Sequence, residues 1–124
     1  MKISVSNNSS DPIYLQIFTQ IRDAIIRGEL KRGEALPSIR ALARDLNISA
    51  ITTKRAYDEL EAGGFVSSVG GKGTFVSENN PEIMREARLR MIEEKLAEAA
   101  ALGSAIGLGP DDLGQMLALV CGEE

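Results

Sequence analysis

LPSIRALARDLNISAITTKRAYDELEAGGFVSSVGGKGTFV, residues Leu36–Val76, is the stretch that decides the fold. A residue before proline is pushed to extended geometry, so Leu36-Pro37 breaks the chain and Ser38 is placed to cap a helix. Ile39, Leu42, Ala43 and Leu46 then recur at helical spacing and form a buried stripe, which leaves Arg40 and Arg44 on the outer side. Asn47 and Ile48 make a short turn, and Ser49 caps the next helix, in which Thr53, Ala56, Tyr57 and Leu60 repeat the spacing up to Gly63-Gly64. Two short helices joined by so tight a turn predict a helix-turn-helix. Phe65–Val69 and Thr74–Ser77 are β-branched and aromatic runs flanking Gly70-Gly71-Lys72-Gly73, the chemistry of a β-hairpin, and this hairpin is a wing.

Upstream, Asp11 and Pro12 are expected to open a first helix, Asp as cap and Pro at the first helical position. Tyr14, Ile17, Phe18, Ile21 and Ile25 step along one face of it, and Gly28 supplies the left-handed stop. Downstream, Asn79-Asn80-Pro81 is expected to open a long charged helix running toward Gly103, with Leu89, Ile92, Leu96 and Ala99 in steps of three and four. Gly103 through Pro110 reads as a glycine-rich break before a last helix carrying Leu113, Met116, Leu117 and Val120 on one face. The architecture expected is mainly α with a small β-hairpin: a winged helix-turn-helix over 10–77 and a C-terminal helical hairpin over 78–124. Each of the last two helices has an apolar stripe and no third layer to cover it, which predicts a dimerisation region.

At 124 residues the chain has room for one compact domain with an appendage. The apolar stretches are interrupted by charge every few positions, so no membrane span is expected. MKISVSNNSS has no basic region, apolar run and cleavage site of a secretory signal, and Cys121 is the single cysteine, so the expected location is the reducing cytoplasm. The net charge of −4 conceals two halves of opposite sign. Residues 1–77 carry ten Lys or Arg against eight Asp or Glu, net +2, while residues 78–124 carry four against ten, net −6. The N-terminal part is therefore compatible with a phosphate backbone, and the acidic part is expected to face away from it.

At about 100° per residue, the core set of the third helix places Ile51 opposite the buried side, with Arg55 about 40° and Lys54 about 60° from it. Charges on an outer face are commonly just solvated, and a lone surface isoleucine is ordinary, yet in a major groove Ile51 could meet thymine methyl groups. The start of this helix, with Ser49 and Thr52, is suited to a phosphate. Arg40 lies in the first turn of its helix, where a cation opposes the helix dipole, and this placement points to a phosphate or guanine contact. Lys72 stands at the tip of the hairpin, within reach of a groove or phosphate. A nucleotide-binding P-loop is rejected, because Val66 stands where its first glycine belongs and Gly73 where its Ser or Thr belongs. With no histidine and no carboxylate cluster matched to a partner, catalysis is not expected, and neither a cofactor nor a metal is implied.

The quoted stretch resembles the DNA-binding domain of GntR-family regulators, and DPIYLQIFTQIRDAIIRGELKRGEALPS resembles the family's first helix and its connection. The similarity covers roughly residues 10–77, and the short helical tail is similar to that of the YtrA-like subfamily. The resemblance implies DNA contacts from Arg40 on the second helix, from Thr52, Lys54 and Arg55 on the recognition helix, and from Gly71 and Lys72 on the wing. It also implies dimerisation through two C-terminal helices and control of a transporter operon. Ser49-Ala50-Ile51 departs from the more polar Asn-Pro-Asn common in this subfamily, which implies a different operator preference. The expected function is sequence-specific binding of double-stranded operator DNA by a homodimer acting as a repressor; the effector is unknown. A winged helix serving only protein contacts is the alternative, and salt-dependent DNA binding separates the two.

Overall fold

Each helix ends where the chemistry of its flanking residues satisfies the free backbone groups. The computed structural model describes residues 1–77 and 81–122. Its helices are α1 (Ile13–Arg27), α2 (Ile39–Leu46), α3 (Ala50–Ala62), α4 (Pro81–Ala105) and α5 (Pro110–Val120), and its strands are β1 (Val66–Val69) and β2 (Gly73–Val76). The chain forms two compact units, Met1–Arg85 and Glu86–Glu124.

In the first unit, α1 starts one residue later than expected, with Ile13 rather than Pro12 as its first helical residue. Pro12 is the cap residue itself, and its carbonyl accepts from the Leu15 and Gln16 amides, both at 3.1 Å. Asp11 makes no side-chain cap; its backbone carbonyl instead accepts from Gln16 Nε2 at 2.9 Å. Gly28 ends the helix at φ 82°, a left-handed conformation that costs glycine nothing, and the Glu29 amide returns to the Ala24 carbonyl at 2.9 Å. Ser38 and Ser49 cap α2 and α3 as expected, accepting from the Ala41 and Thr52 amides at 3.0 and 3.1 Å. Between these two helices Asn47 adopts the left-handed conformation at φ 56°. Asn tolerates that region better than other residues with a Cβ, which lets the turn close in so few residues.

The core joins these helices to the wing. Ile17, Ile21 and Ile25 of α1, Leu42 of α2, Ala56, Tyr57 and Leu60 of α3, and Val66 and Val76 of the hairpin are all buried in one cluster. Tyr14 and Phe18 of α1 and Ile39 and Leu46 of α2 pack half-buried against it. β1 and β2 pair antiparallel with Val66 opposite Val76 and Val69 opposite Gly73, so the strands run one residue earlier on the return side than the sequence suggests. Beside β2 lies a third extended segment with no counterpart in the sequence reading. The Leu36 amide donates to Thr74 O at 2.9 Å and the Val76 amide to Glu34 O at 2.8 Å, with a bridge between Ala35 and Phe75. This segment covers the outer edge of β2 and pins the wing to the α1–α2 connection.

A second feature absent from the sequence reading is the N-terminal arm. Gln16 Oε1 accepts from the Ser6 amide at 2.9 Å while its Nε2 donates to the Ser6 carbonyl at 2.9 Å. Gln20 holds Ser4 in the same way at 3.1 and 2.8 Å. Two side-chain amides, one helical turn apart, thus stand in for a neighbouring strand, and Ile3 and Val5 pack onto the core.

In the second unit, the expected glycine break begins later. Asn79 and Asn80 lie outside the described residues, and α4 continues through Gly103 to Ala105. Gly103 is buried inside the helix rather than ending it: a Cβ there would sit 3.2 Å from Leu113 Cδ2 and 3.4 Å from Leu108 Cβ. Its missing side chain is what lets α4 and α5 approach. The stop is Gly107 at φ 81°, with the Leu108 amide returning to Gly103 O at 2.8 Å and the Gly107 amide to Ser104 O at 3.2 Å. α5 then opens with Pro110 after Gly109, whose amide donates to the Asp112 carboxylate at 2.9 Å.

Candidate nucleic-acid interface

The residues that folding leaves unused on α2, α3 and the wing define the candidate interface. Thr53 and Tyr57 are committed to the core, each with its polar atom satisfied. Thr53 Oγ1 donates to the Ser49 carbonyl at 3.1 Å, and the Tyr57 hydroxyl donates to the Pro37 carbonyl at 2.7 Å. Burial pushes the Tyr57 hydroxyl up to about 12, so the phenol stays neutral and tethers α3 to the start of α2.

On the opposite side of α3 the geometry matches the helical phase read from the sequence. Ile51 is 83% exposed and contributes nothing to the core. Lys54 is exposed and makes an i,i+4 ion pair with Asp58 at 2.7 Å. Such a pair at the surface is worth about 0.3–0.5 kcal/mol, and two of the three ammonium hydrogens stay free for another acceptor. Ser49 and Thr52 are coupled at the helix start. The Ser49 hydroxyl accepts from the Thr52 amide and donates to Thr52 Oγ1 at 2.8 Å, so its one hydrogen is used. The Thr52 hydroxyl hydrogen is the one left to meet a phosphate or a base.

Arg40 stands exposed in the first turn of α2, and among the described residues no hydrogen bond or ion pair engages its side chain. In the wing, the Lys72 amide closes the turn onto Val69 O at 2.9 Å. Gly71 holds φ 74°, which L side chains resist, and Lys72 projects beside it, exposed. The Glu61 carboxylate accepts from the Ser68 amide at 2.8 Å, so the wing is fixed to the last turn of α3. Arg55 differs from the sequence picture of an outward cation. It remains exposed, but its guanidinium carbon lies 3.7 Å from the centre of the Tyr14 ring on α1. A stacked pair of this kind contributes about 0.5–1 kcal/mol at an exposed site. Phase within one helix could not reveal this pairing, since its partner is some forty residues away in sequence.

A helix-turn-helix with its second helix free on the outer face, followed by a pinned two-stranded wing, matches a sequence profile described as "Bacterial regulatory proteins, gntR family" over residues 13–76. The chain belongs to the GntR family. It is 38% identical over 96 residues to the HTH-type transcriptional repressor YtrA of Bacillus subtilis, covering 77% of this chain and 74% of that one. Among solved structures it is similar to YtrA from Sulfolobus acidocaldarius, a GntR-family transcription factor. The TM-score is 0.59 at 37% identity, covering 77% of this chain and 97% of that chain. It is also similar to the DNA-binding domain of AraR in complex with operator ORE1, with TM-score 0.53 at 26% identity over 62% of this chain and 94% of that one. This GntR-family protein is accordingly a DNA-binding transcription regulator with a winged helix-turn-helix. Among its described residues no helix is long and apolar enough to cross a membrane, and no group of three or more His, Cys, Asp or Glu could hold a metal ion.

The second unit carries the residues expected to join two copies. Leu89, Ile92 and Leu96 of α4 and Met116, Leu117 and Val120 of α5 are all exposed, as is Ala99. Leu113 is half-buried against Gly103. Leu102, Ile106 and Leu119, which the sequence reading did not single out, are exposed as well, at 73–76%.

Proposed function

We propose that this GntR-family regulator is a repressor that binds a palindromic operator as a homodimer in the cytoplasm and has no catalytic activity of its own. The observation that carries this reading is the pairing of two unsatisfied surfaces in one short chain. One is the face formed by exposed Arg40, Ser49, Ile51, Lys54 and Arg55 and half-buried Thr52, with Gly71 and Lys72 on the wing; the other is the apolar surface of the α4–α5 hairpin. The first has the donors and the methyl-bearing side chain that a major groove and its flanking phosphates require. The second, formed by Leu89, Ile92, Leu96, Ala99, Leu113, Met116, Leu117 and Val120, has apolar side chains in water that a second copy would cover. Two recognition helices presented by a dimer read half-sites about 34 Å apart, hence the palindrome. Control of a transporter operon follows from the resemblance to YtrA-like proteins and is open to mapping of genomic binding sites.

The test is a titration of duplex DNA with the purified protein across a series of salt concentrations. Binding that is strong at low salt and falls steeply as salt is added supports the reading, and no binding at low salt sinks it. Sedimentation equilibrium over a range of protein concentrations tests the dimer separately.

A further inference from the structure

Arg55 and Tyr14 form a contact that adds little to the stability of the fold. Tyr14 already packs its ring against the core edge, and the Arg55 stem leaves α3 on the exposed side. The guanidinium carbon nevertheless lies 3.7 Å from the centre of the ring, too close for its nitrogens to point at the ring, so it meets the ring with its face. Among the described residues no carboxylate pairs with it, whereas its neighbour Lys54 is held by Asp58 at 2.7 Å. Stacking uses the face of the guanidinium and leaves the N–H groups in its plane free at the edges. A free arginine explores many rotamers and must give them up on binding; one already laid on a ring has given up most of them. Because α1 flanks α3, an arginine drawn to α1 sits to the side of Ile51, where the rim of a groove rather than its floor would lie if α3 enters the groove along its Ile51 side.

We infer that Tyr14 is a positioning residue for DNA binding, whose ring presents the Arg55 guanidinium edge-on to a backbone phosphate of the duplex. This rests on the DNA-binding reading above and assigns Arg55 to the phosphate rather than to a base. Tyr14 itself acts through Arg55.

The experiment measures affinity for a mixed-sequence duplex against salt concentration for the full chain and five variants. Tyr14→Leu keeps apolar bulk against the core and removes the aromatic face; Tyr14→Phe keeps the face. Expected for Tyr14→Leu are a several-fold loss of affinity and a shallower dependence of log affinity on log salt, by up to about 0.9 for one lost phosphate contact. Tyr14→Phe behaves as the unaltered protein, and in an Arg55→Ala background Tyr14→Leu has no further effect. Arg55→Lys leaves α1 untouched and keeps the charge but not the planar stack; it also loses affinity while still melting cooperatively and only a few degrees lower, which keeps the test decisive if Tyr14→Leu proves unstable. Losses that add in the double variant, or an Arg55→Lys variant that binds like the unaltered protein, overturn the inference alone. Absence of any salt-sensitive binding by the unaltered protein overturns the DNA-binding reading and the inference with it.

Discussion

Thr53 and Arg40 illustrate how a single position is assigned to folding or to recognition. Thr53 is fully buried near the start of α3, and its hydroxyl is satisfied by the Ser49 carbonyl at 3.1 Å. Thr53→Asp would bury a carboxylate beside the apolar core, a cost of about 3–5 kcal/mol against a typical domain stability of about 5–15 kcal/mol. The expected outcome is loss of cooperative melting, followed by circular dichroism. Arg40 supports nothing else in the fold, so Arg40→Ala is expected to melt like the unaltered protein and to weaken operator binding by about 1–3 kcal/mol. Unchanged operator affinity would remove Arg40 from the interface. Tyr57 gives a pH signature. Its folded-state value of about 12 lies above the ordinary 10, so the protonated phenol is favoured in the fold. That contribution is fully present below pH 10 and is lost as the pH rises from 10 to 12, by about 2–3 kcal/mol in all. Denaturant titration of Tyr57→Phe alongside the unaltered protein checks it: the variant should lack this part of the alkaline decline.

At the scale of elements, caps and stripes were legible because their causes are local. Ser38, Ser49 and Gly28 act within four residues, and the four core positions of α3 are set by helical period alone. Features that depend on a distant partner were not legible. Arg55 on Tyr14, the edge segment beside β2 and the amide-held arm all join residues ten or more apart in sequence. Gly103 misled for a related reason: a glycine inside a helix and one after its end look alike until the neighbouring helix is known. Here α5 supplies the reason, with Leu113 against the bare Cα. Gly103→Val is therefore expected to destabilise the α4–α5 hairpin by about 1–3 kcal/mol through overpacking, read as a lower melting temperature. A Gly107 substitution acts differently, through backbone strain at φ 81° with open space around it.

Across the whole molecule, charge and hydrophobicity are segregated along the chain. The net +2 of residues 1–77 accompanies the candidate DNA face, and the net −6 of residues 78–124 accompanies the exposed apolar side chains. Placing a charge in that apolar surface, as in Leu96→Asp, is expected to yield a monomer by sedimentation and to cut operator affinity sharply, because one recognition helix then binds without the other. A dimer that survives both Leu96→Asp and Met116→Asp would move the interface elsewhere. The arm held by Gln16 and Gln20 has a consequence of another kind. The Ser4 and Ser6 amides are bonded, whereas between them the Val5 amide has no partner among the described residues. In deuterated water the first residues of this chain should exchange in alternation, slow at Ser4 and Ser6 and fast at Val5, a strand's isotope pattern written by two helical side chains.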